Sequence, residues 1–416
     1  MATGIPCSTH RDNLRATRHG RLKAALLRRR SGGHGLAGPH FWTTLLATLL
    51  LALQAAGDDG YWAKAGGGSW ATAGNWDSGT VADGTDNTAY FGLSFEPAIP
   101  TNATFTLDGA RTIGNIEFTA TTGPDSWALN TGSGGPLTLD ATFDTPSITV
   151  GLASQTVTMS TVLAGTNGME KQGDGTLVLT ASNVYAGQTI VSAGLLRLNG
   201  SVGLDGVDVA AGTLSGTGVI SGPLIVESGA ILAPGNPLGA LTVSNTLTLN
   251  PGSGTHVALN ASTLAHGAVQ GLASVVYGGS MTVTNLAGTL ARGQSYSIFS
   301  AAGASGNFSS ITPKPGNYLR WRFTPANGML AVVSSASQPS ITGLVLTPTN
   351  LVLQVGNGAP GATIYTLAAT NAALAVSNWT RIATSSLDMS GSGLVTAPLN
   401  GAASSWFYRV AMPVAP

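Results

Sequence analysis

Lys171 to Ser201 reads K-Q-G-D-G-T-L-V-L-T-A-S-N-V-Y-A-G-Q-T-I-V-S-A-G-L-L-R-L-N-G-S. In this stretch, apolar and polar positions alternate in short runs. Leu177 and Leu179 share one face of an extended segment, with Thr176, Val178 and Thr180 on the other. Leu196 and Leu198 repeat the pattern with Arg197 turned outward. Turn residues separate the runs: Gly173 and Gly175 flank Asp174, Asn183 and Gly187 bracket Tyr185, and Gly194 and Gly200 close the later segments. A unit this short buries no core alone, so the reading is one rung of a stack with neighbours above and below.

The rhythm extends both ways. Downstream come V-D-V (Val207 to Val209), L-I-V (Leu224 to Val226), L-T-V (Leu241 to Val243), L-T-L (Leu247 to Leu249) and V-A-L (Val257 to Leu259). Matching pairs recur about every 16 to 19 residues, the length of a coil with three short strands and three turns. Pro234 and Pro237 fall in turns because they cannot donate to a ladder. Upstream, Thr101 to Gly168 carries T-F-T-L, N-I-E-F, P-L-T-L, S-I-T-V and T-V-T-M between Gly, Asp, Asn and Pro. An antiparallel sandwich competes there. The lack of tight two-residue Asn-Gly or Asp-Gly hairpins linking equal strands and the smooth continuation into the repeat favour early rungs.

The quoted stretch resembles the autotransporter-associated β-strand repeat, G-x-G-T-L-x-L, then N-x-Y-x-G-x-T-x-V, then G-x-L. The matching residues are Gly173, Gly175, Thr176, Leu177, Leu179, Asn183, Tyr185, Gly187, Thr189, Val191, Gly194 and Leu196, with Ala186 where Thr or Ser is frequent. G-T-L-S-G-T-G-V-I (Gly212 to Ile220) and A-P-G-N-P-L-G-A-L (Ala233 to Leu241) are similar to segments that follow the repeat. The resemblance continues through G-Q-S-Y-S-I-F-S (Gly293 to Ser300), G-N-F-S-S-I (Gly306 to Ile311), Trp321 and G-M-L-A-V-V (Gly328 to Val333). It implies an exported bacterial passenger or surface protein built as a parallel β-helix, with a structural rather than catalytic motif.

Composition agrees with strands and turns. Of 416 residues 57 are Gly, and charged residues reach only 9%, against about 25% in ordinary proteins. The formal charge of zero hides an asymmetry. Arg11, Arg15, Arg18, Arg21, Lys23, Arg28, Arg29 and Arg30 precede residue 31, so removal of a leader leaves 10 basic against 17 acidic residues. No basic run follows Arg30, which argues against a nucleic-acid partner.

Residues 1–57 read as a signal peptide: a basic stretch, the apolar run Phe41 to Leu53, then Ala55, Ala56 and Gly57 for cleavage. The competing reading is an uncleaved anchor or a spurious extension. Arg28 to Arg30 allow a twin-arginine signal, but the apolar residues expected after them are missing. The single cysteine, Cys7, lies in this leader, which removes disulfides and thiol chemistry from the remainder.

Residues 58–100 hold an aromatic cluster: Tyr61, Trp62, Trp70, Trp76, Tyr90 and Phe91 among Gly, Asp, Asn and Thr. Two readings compete. Trp62, Trp70, Trp76 and Tyr90, with Asp77, Asp83, Asp86 and Asn87 near them, form a candidate carbohydrate-contact platform. W-x-x-x-G-N-W followed by D-N-T-A-Y-F also resembles the opening of repeat proteins of this kind, where it caps the open end of the helix. After a linker at 334–340, residues 341–416 carry longer strand candidates and form a separate antiparallel module. Its S-N-W-T-R-I and W-F-Y-R-V pieces are similar to a terminal module of such repeat proteins.

The expected fold is all-β: a right-handed parallel β-helix (solenoid) over 101–333, with the repeat at about 168–201, followed by a small antiparallel β-sandwich-like C-terminal module. The 76 residues from Ile341 are too few for a membrane barrel of about a dozen strands of 9 to 11 residues, so a soluble sandwich without such a barrel is expected.

No H-E-x-x-H, G-x-S-x-G or Walker pattern occurs, and no catalytic, cofactor or metal residue is assigned. His256 and His266 make an incomplete zinc set, and Asp83 to Asn87 lacks the spacing of a calcium loop. Carboxylates such as Asp174, Asp205 and Glu227 stand isolated on turns, with Asp205 and Asp208 the nearest pair for a polysaccharide-acting enzyme. The expected function is that of a non-enzymatic structural or adhesive protein, secreted or at the cell surface. Its partners would be extracellular polysaccharide or cell-surface components, and no integral membrane domain would remain after signal cleavage. The alternatives are a carbohydrate-binding protein using the N-terminal tryptophans and a β-helix enzyme.

Overall fold

The computed structural model describes residues 57–92, 102–119, 125–316, 319–335, 339–359, 361–388, 390–399 and 405–412. The leader expected at 1–57 falls, except for Gly57, outside the described residues.

The repeat folds as the alternation of its side chains dictates. Met169–Gln172 lies on one face, Thr176–Leu179 on a second, and Ser182 bridges in parallel to Ser201 on a third. The next coil repeats this with Thr189–Val191, Leu195–Leu198 and Ser201–Val202, and the one after with Val207–Val209, Thr213–Gly216 and Val219–Ile220. Every strand in these coils pairs parallel with its counterpart one coil away, which satisfies backbone groups that so short a strand cannot satisfy alone. The protein is a parallel β-helix.

Register makes columns. On the second face Val157, Leu177, Leu196, Leu214 and Leu232 stand in successive coils, all fully buried, and Thr255 and Met281 continue the column. On the first face Ile148, Lys171, Val191, Val209, Val226 and Leu249 do the same. The residues that alternation turns inward, Leu177, Leu179, Leu196, Leu198, Val207, Val209, Leu224, Val226, Leu241, Val243, Leu247 and Leu249, are all buried, and Arg197 is half-exposed on the outer side.

Coil length keeps the expected period only in the middle of the stack. Leu177, Leu196, Leu214 and Leu232 follow one another at that period, but Thr255, Met281 and Ile311, the next members of the column, are spaced progressively farther apart along the chain. The later coils grow because strands lengthen and turns expand. The eleven-residue strand Gly267–Tyr277 pairs along its first half with Gly239–Val243 and along its second with Thr246–Leu249, so it spans two faces, with an irregularity between Val269 and Leu272 where Gly271 takes φ 80°. Before it, the Asn260–Ala265 turn protrudes, with Leu264 at φ 61°.

Large aromatic side chains cluster at both ends of the stack, while its middle is filled mainly by aliphatic ones, with Tyr185 the buried ring there. Trp62, Trp70, Trp76, Phe91, Phe105, Phe118 and Trp127 pack together in the first coils, where the Gly60–Tyr61 strand already pairs parallel with Ala89 and Tyr90. In the last coils Tyr277, Phe299, Phe308 and Phe323 make ring contacts of 4.9 to 6.2 Å. An end coil lacks a neighbour on one side, and a large ring covers more of the gap than a valine. The final strands leave the parallel pattern: Ser295–Ser297, Met329–Ser334 and Leu319–Thr324 form an antiparallel sheet.

Beyond residue 339 two antiparallel sheets of three strands share a second core. Ser340–Leu346, Asn350–Gly356 and Gly393–Pro398 form one; Thr380–Ser386, Thr363–Ala369 and Phe407–Ala411 form the other. Leu351, Leu353, Val355 and Val395 of the first meet Ile364 and Val410 of the second.

Candidate functional site

The motif residues of the repeat converge on the junction between coils. Asn183 is the widest link: its Oδ1 accepts the backbone N–H of Leu163 in the coil before at 3.0 Å, and its Nδ2 donates to Ala181 O and to Ser201 O in the coil after, both at 3.2 Å. Asn suits this position because one amide both donates and accepts. The Tyr185 hydroxyl hydrogen-bonds the Thr189 hydroxyl, and burial raises the phenol to about 12 against the opposing effect of that bond.

Two glycines are required by neighbouring backbone. Gly187 sits at φ 85°, where a Cβ would lie 2.5 Å from Gly168 N of the previous coil, and Gly194 at φ 62° would place one 2.5 Å from both Gly173 O and Gly175 O. The spaced glycines of the motif thus stack on one another across coils.

Lys171 is a finding the sequence did not announce. Its strand position is inward, between Ile148 and Val191, and the side chain is fully buried. The ammonium curls into the following turn and donates to Gln172 O at 2.8 Å, Gly173 O at 2.7 Å and Ala193 O at 3.2 Å, the last in the next coil. Burial lowers its pKa to about 8, with Asp174 pulling the other way, so the group stays charged at neutral pH. A lysine at an alternating inward position gives no pattern signal, because only the folded turn shows where its charge ends.

The structure places the candidate carbohydrate-contact tryptophans in the core. Trp62, Trp70 and Trp76 are at most 3% exposed, and their indole N–H groups donate to Gly66 O, Ala82 O and Trp70 O at 2.8 to 2.9 Å. Packed against other rings, none offers a surface to a sugar. Tyr90 differs: it is half-buried on the outer side of its strand and stacks on Tyr61 at 4.5 Å with 8° between the rings. Glu117 follows in the same outer column, its carboxyl pushed up by burial and then by Asp59.

The acidic loop at 83–87 is a staple between coils. Asp83 Oδ2 pairs with Arg111 at 2.7 Å while its Oδ1 accepts Thr112 N and Gly84 N, and Asp86 receives the Thr142 N–H and hydroxyl at 2.6 Å. Among the described residues no group of three His, Cys, Asp or Glu is placed to hold a metal ion. His266 sets Nδ1 at 2.9 Å from Leu264 O and Nε2 at 3.0 Å from Ser297 O. The expected Asp205–Asp208 pair is not the closest electrostatic partnership. Asp205 accepts Gly187 N at 2.8 Å, whereas Asp208 is pushed up by burial and then by Glu227, which is held by Asn250 at 2.6 Å. Glu227 stands one coil further on, beyond the reach of any local spacing argument.

Residues 169–198, which run from the coil with Lys171 through Asn183 and Tyr185 into the first two strands of the next coil, match the profile of the Passenger-associated-transport-repeat. The chain carries this repeat. It is also similar to the adhesin BmaC autotransporter of Brucella suis biovar 1 (strain 1330), 33% identical over an alignment of 233 residues that covers 50% of this chain and 6% of the relative. A second similarity is to an extracellular serine protease of Serratia marcescens, 38% identical over 91 residues, 22% of this chain and 9% of that protein. The chain spans less than a tenth of the length of either relative. The repeat's polar positions therefore have an observed use in this chain, which is to tie coil to coil.

Proposed function

We propose that the protein is an exported, non-enzymatic adhesive component of the cell surface or extracellular space. The observation that carries the reading is the use of the repeat's polar residues: Lys171, Asn183, Tyr185 and Thr189 all spend their hydrogen-bonding groups between or within coils. A motif so used builds a scaffold and leaves the outer faces to make contacts. Similarity to an adhesin over half the chain supports the same reading. The test is attachment: a non-adherent bacterium displaying the chain should bind host cells, matrix or polysaccharide surfaces above the level of a bare control. Equal attachment with and without the chain, or turnover of casein or a polysaccharide by the pure protein, would reject it. Export itself predicts a mature species starting near residue 57, which intact mass of the secreted protein measures.

A second reading, carbohydrate binding, is favoured by one feature. The stacked Tyr61–Tyr90 pair lies on the outer side next to Glu117. Binding on a glycan array that Tyr90→Ala removes with the fold intact would promote it.

A further inference from the structure

The terminal module has four edge strands among the described residues, and three are blunted against pairing. Gly393–Pro398 ends in proline, Thr380–Ser386 carries Arg381 and Phe407–Ala411 carries Arg409. The fourth, Ser340–Leu346, reads S-I-T-G-L-V-L, with no charge and no proline. A bulge interrupts its pairing between Ile341 and Gly343, and Gly343 to Leu346 run in regular register with Gln354 to Leu351.

Side chains on both rows of this strand are exposed. Leu344 and Leu346 pair with Leu353 and Leu351, which are completely buried, so both belong to the core-facing row; yet they are 52% and 64% exposed. Val345, on the other row, is 52% exposed as well. The inner face of the module is thus uncovered along the one edge that is also free to accept a strand.

We propose that this edge pairs with the same strand of a second copy, antiparallel about a twofold axis normal to the sheet that passes beside Leu344, joining two three-stranded sheets into one of six. Charge selects the occupant. All three strands of this sheet are uncharged, so a charged partner strand would lose its hydration without gaining a counter-ion, while a second copy brings none. A twofold also sets inner row against inner row, so that Leu344 and Leu346 of each copy complete the other's core. Four regular residues and three apolar side chains bury less than the about 800 Å² per partner of a standard interface, which makes the dimer a weak one, with Kd on the order of 10–100 μM.

Sedimentation of the full exported chain should show monomer at about 1 μM and a growing dimer fraction toward about 1 mM. Leu344→Lys, at a half-exposed site, should abolish the dimer and leave the melting curve unchanged. Monomer throughout the range would overturn the proposal and leave the edge to another protein's strand, and so would a dimer that survives Leu344→Lys. A second assay does not depend on that variant. In a Cys7→Ser background, Leu344→Cys should form disulfide-linked dimers under mild oxidant, since directly opposed Cβ atoms lie about 4.5–5.5 Å apart, whereas the two copies of residue 345 are diagonal neighbours about 7–8 Å apart and should link less. Leu394→Cys, 68% exposed on the opposite edge, should not. No link at 344, or equal linking at 394, would refute twofold pairing.

Discussion

At Leu196 and Arg197 adjacent residues of one strand meet opposite environments, and the consequences of substitution should differ accordingly. Leu196 is fully buried between Leu177 and Leu214. Replacing it with Asp loses about 1.5–3 kcal/mol of burial and adds the desolvation of an unpaired carboxylate, so Leu196→Asp should unfold the coil. Arg197→Asp, on the half-exposed face, should shift stability by no more than about 0.5 kcal/mol in chemical denaturation. Similar losses at both sites would mean that the facing is wrong. Lys171→Met should cost about 1–3 kcal/mol even though Met is the more apolar residue, because three turn carbonyls lose their donor. A variant more stable than the parent would show that the buried charge is a burden rather than a clamp. Acid should stabilise the molecule. Glu117, raised by burial and then by Asp59, Asp125, raised by burial, and Asp208, raised by burial and then by Glu227, all have folded pKa values above their unfolded ones. As pH falls through the folded values, the native state takes up protons first, so stability rises, and the gain is fully present only below the unfolded carboxyl values of about 4. Asp388 works in the other direction, but from a fully exposed position. Melting temperature followed from pH 7 to pH 4 should therefore climb, and Asp208→Asn should flatten part of the climb.

At the scale of one coil, turn geometry is as decisive as the strands. Gly194→Ala puts a methyl 2.5 Å from two carbonyl oxygens of the preceding coil at φ 62°, and should destabilise by more than about 1 kcal/mol, read as faster hydrogen exchange around Leu195–Leu198. Much of the coil was legible in the sequence because alternation with period two dictates which side chains point inward, from Leu177 to Leu249. Coil length was legible only where turns are minimal. The lengthening of the later coils arises in turns such as Asn260–Ala265 and in a strand that crosses two faces, neither of which alters the local alternation. The tryptophans misled for a related reason: composition shows flat rings beside acids, and whether a ring faces solvent depends on packing by Phe91 and Phe105, far along the chain. Asp208 and Glu227 went unpaired in the sequence because their proximity exists only between coils.

For the whole molecule, the claim on which the rest depends is that coils stack in register from one aromatic end to the other. Ser126, Thr156, Thr176, Leu195, Thr213, Ile231, Gly254, Ser280 and Ser310 form one outer column, each pairing with the next. Eight steps at the parallel-strand spacing of about 4.8 Å place Ser126 and Ser310 about 38 Å apart, although many residues of chain separate them. Pulsed electron-spin measurement between nitroxide labels at Ser126→Cys and Ser310→Cys, in a Cys7→Ser background, reads that distance directly. Stacked coils predict a single narrow distribution that differs from this separation by no more than the length of the labels; a broad distribution, or one centred far short of it, would contradict the stack and the structural role assigned to the repeat.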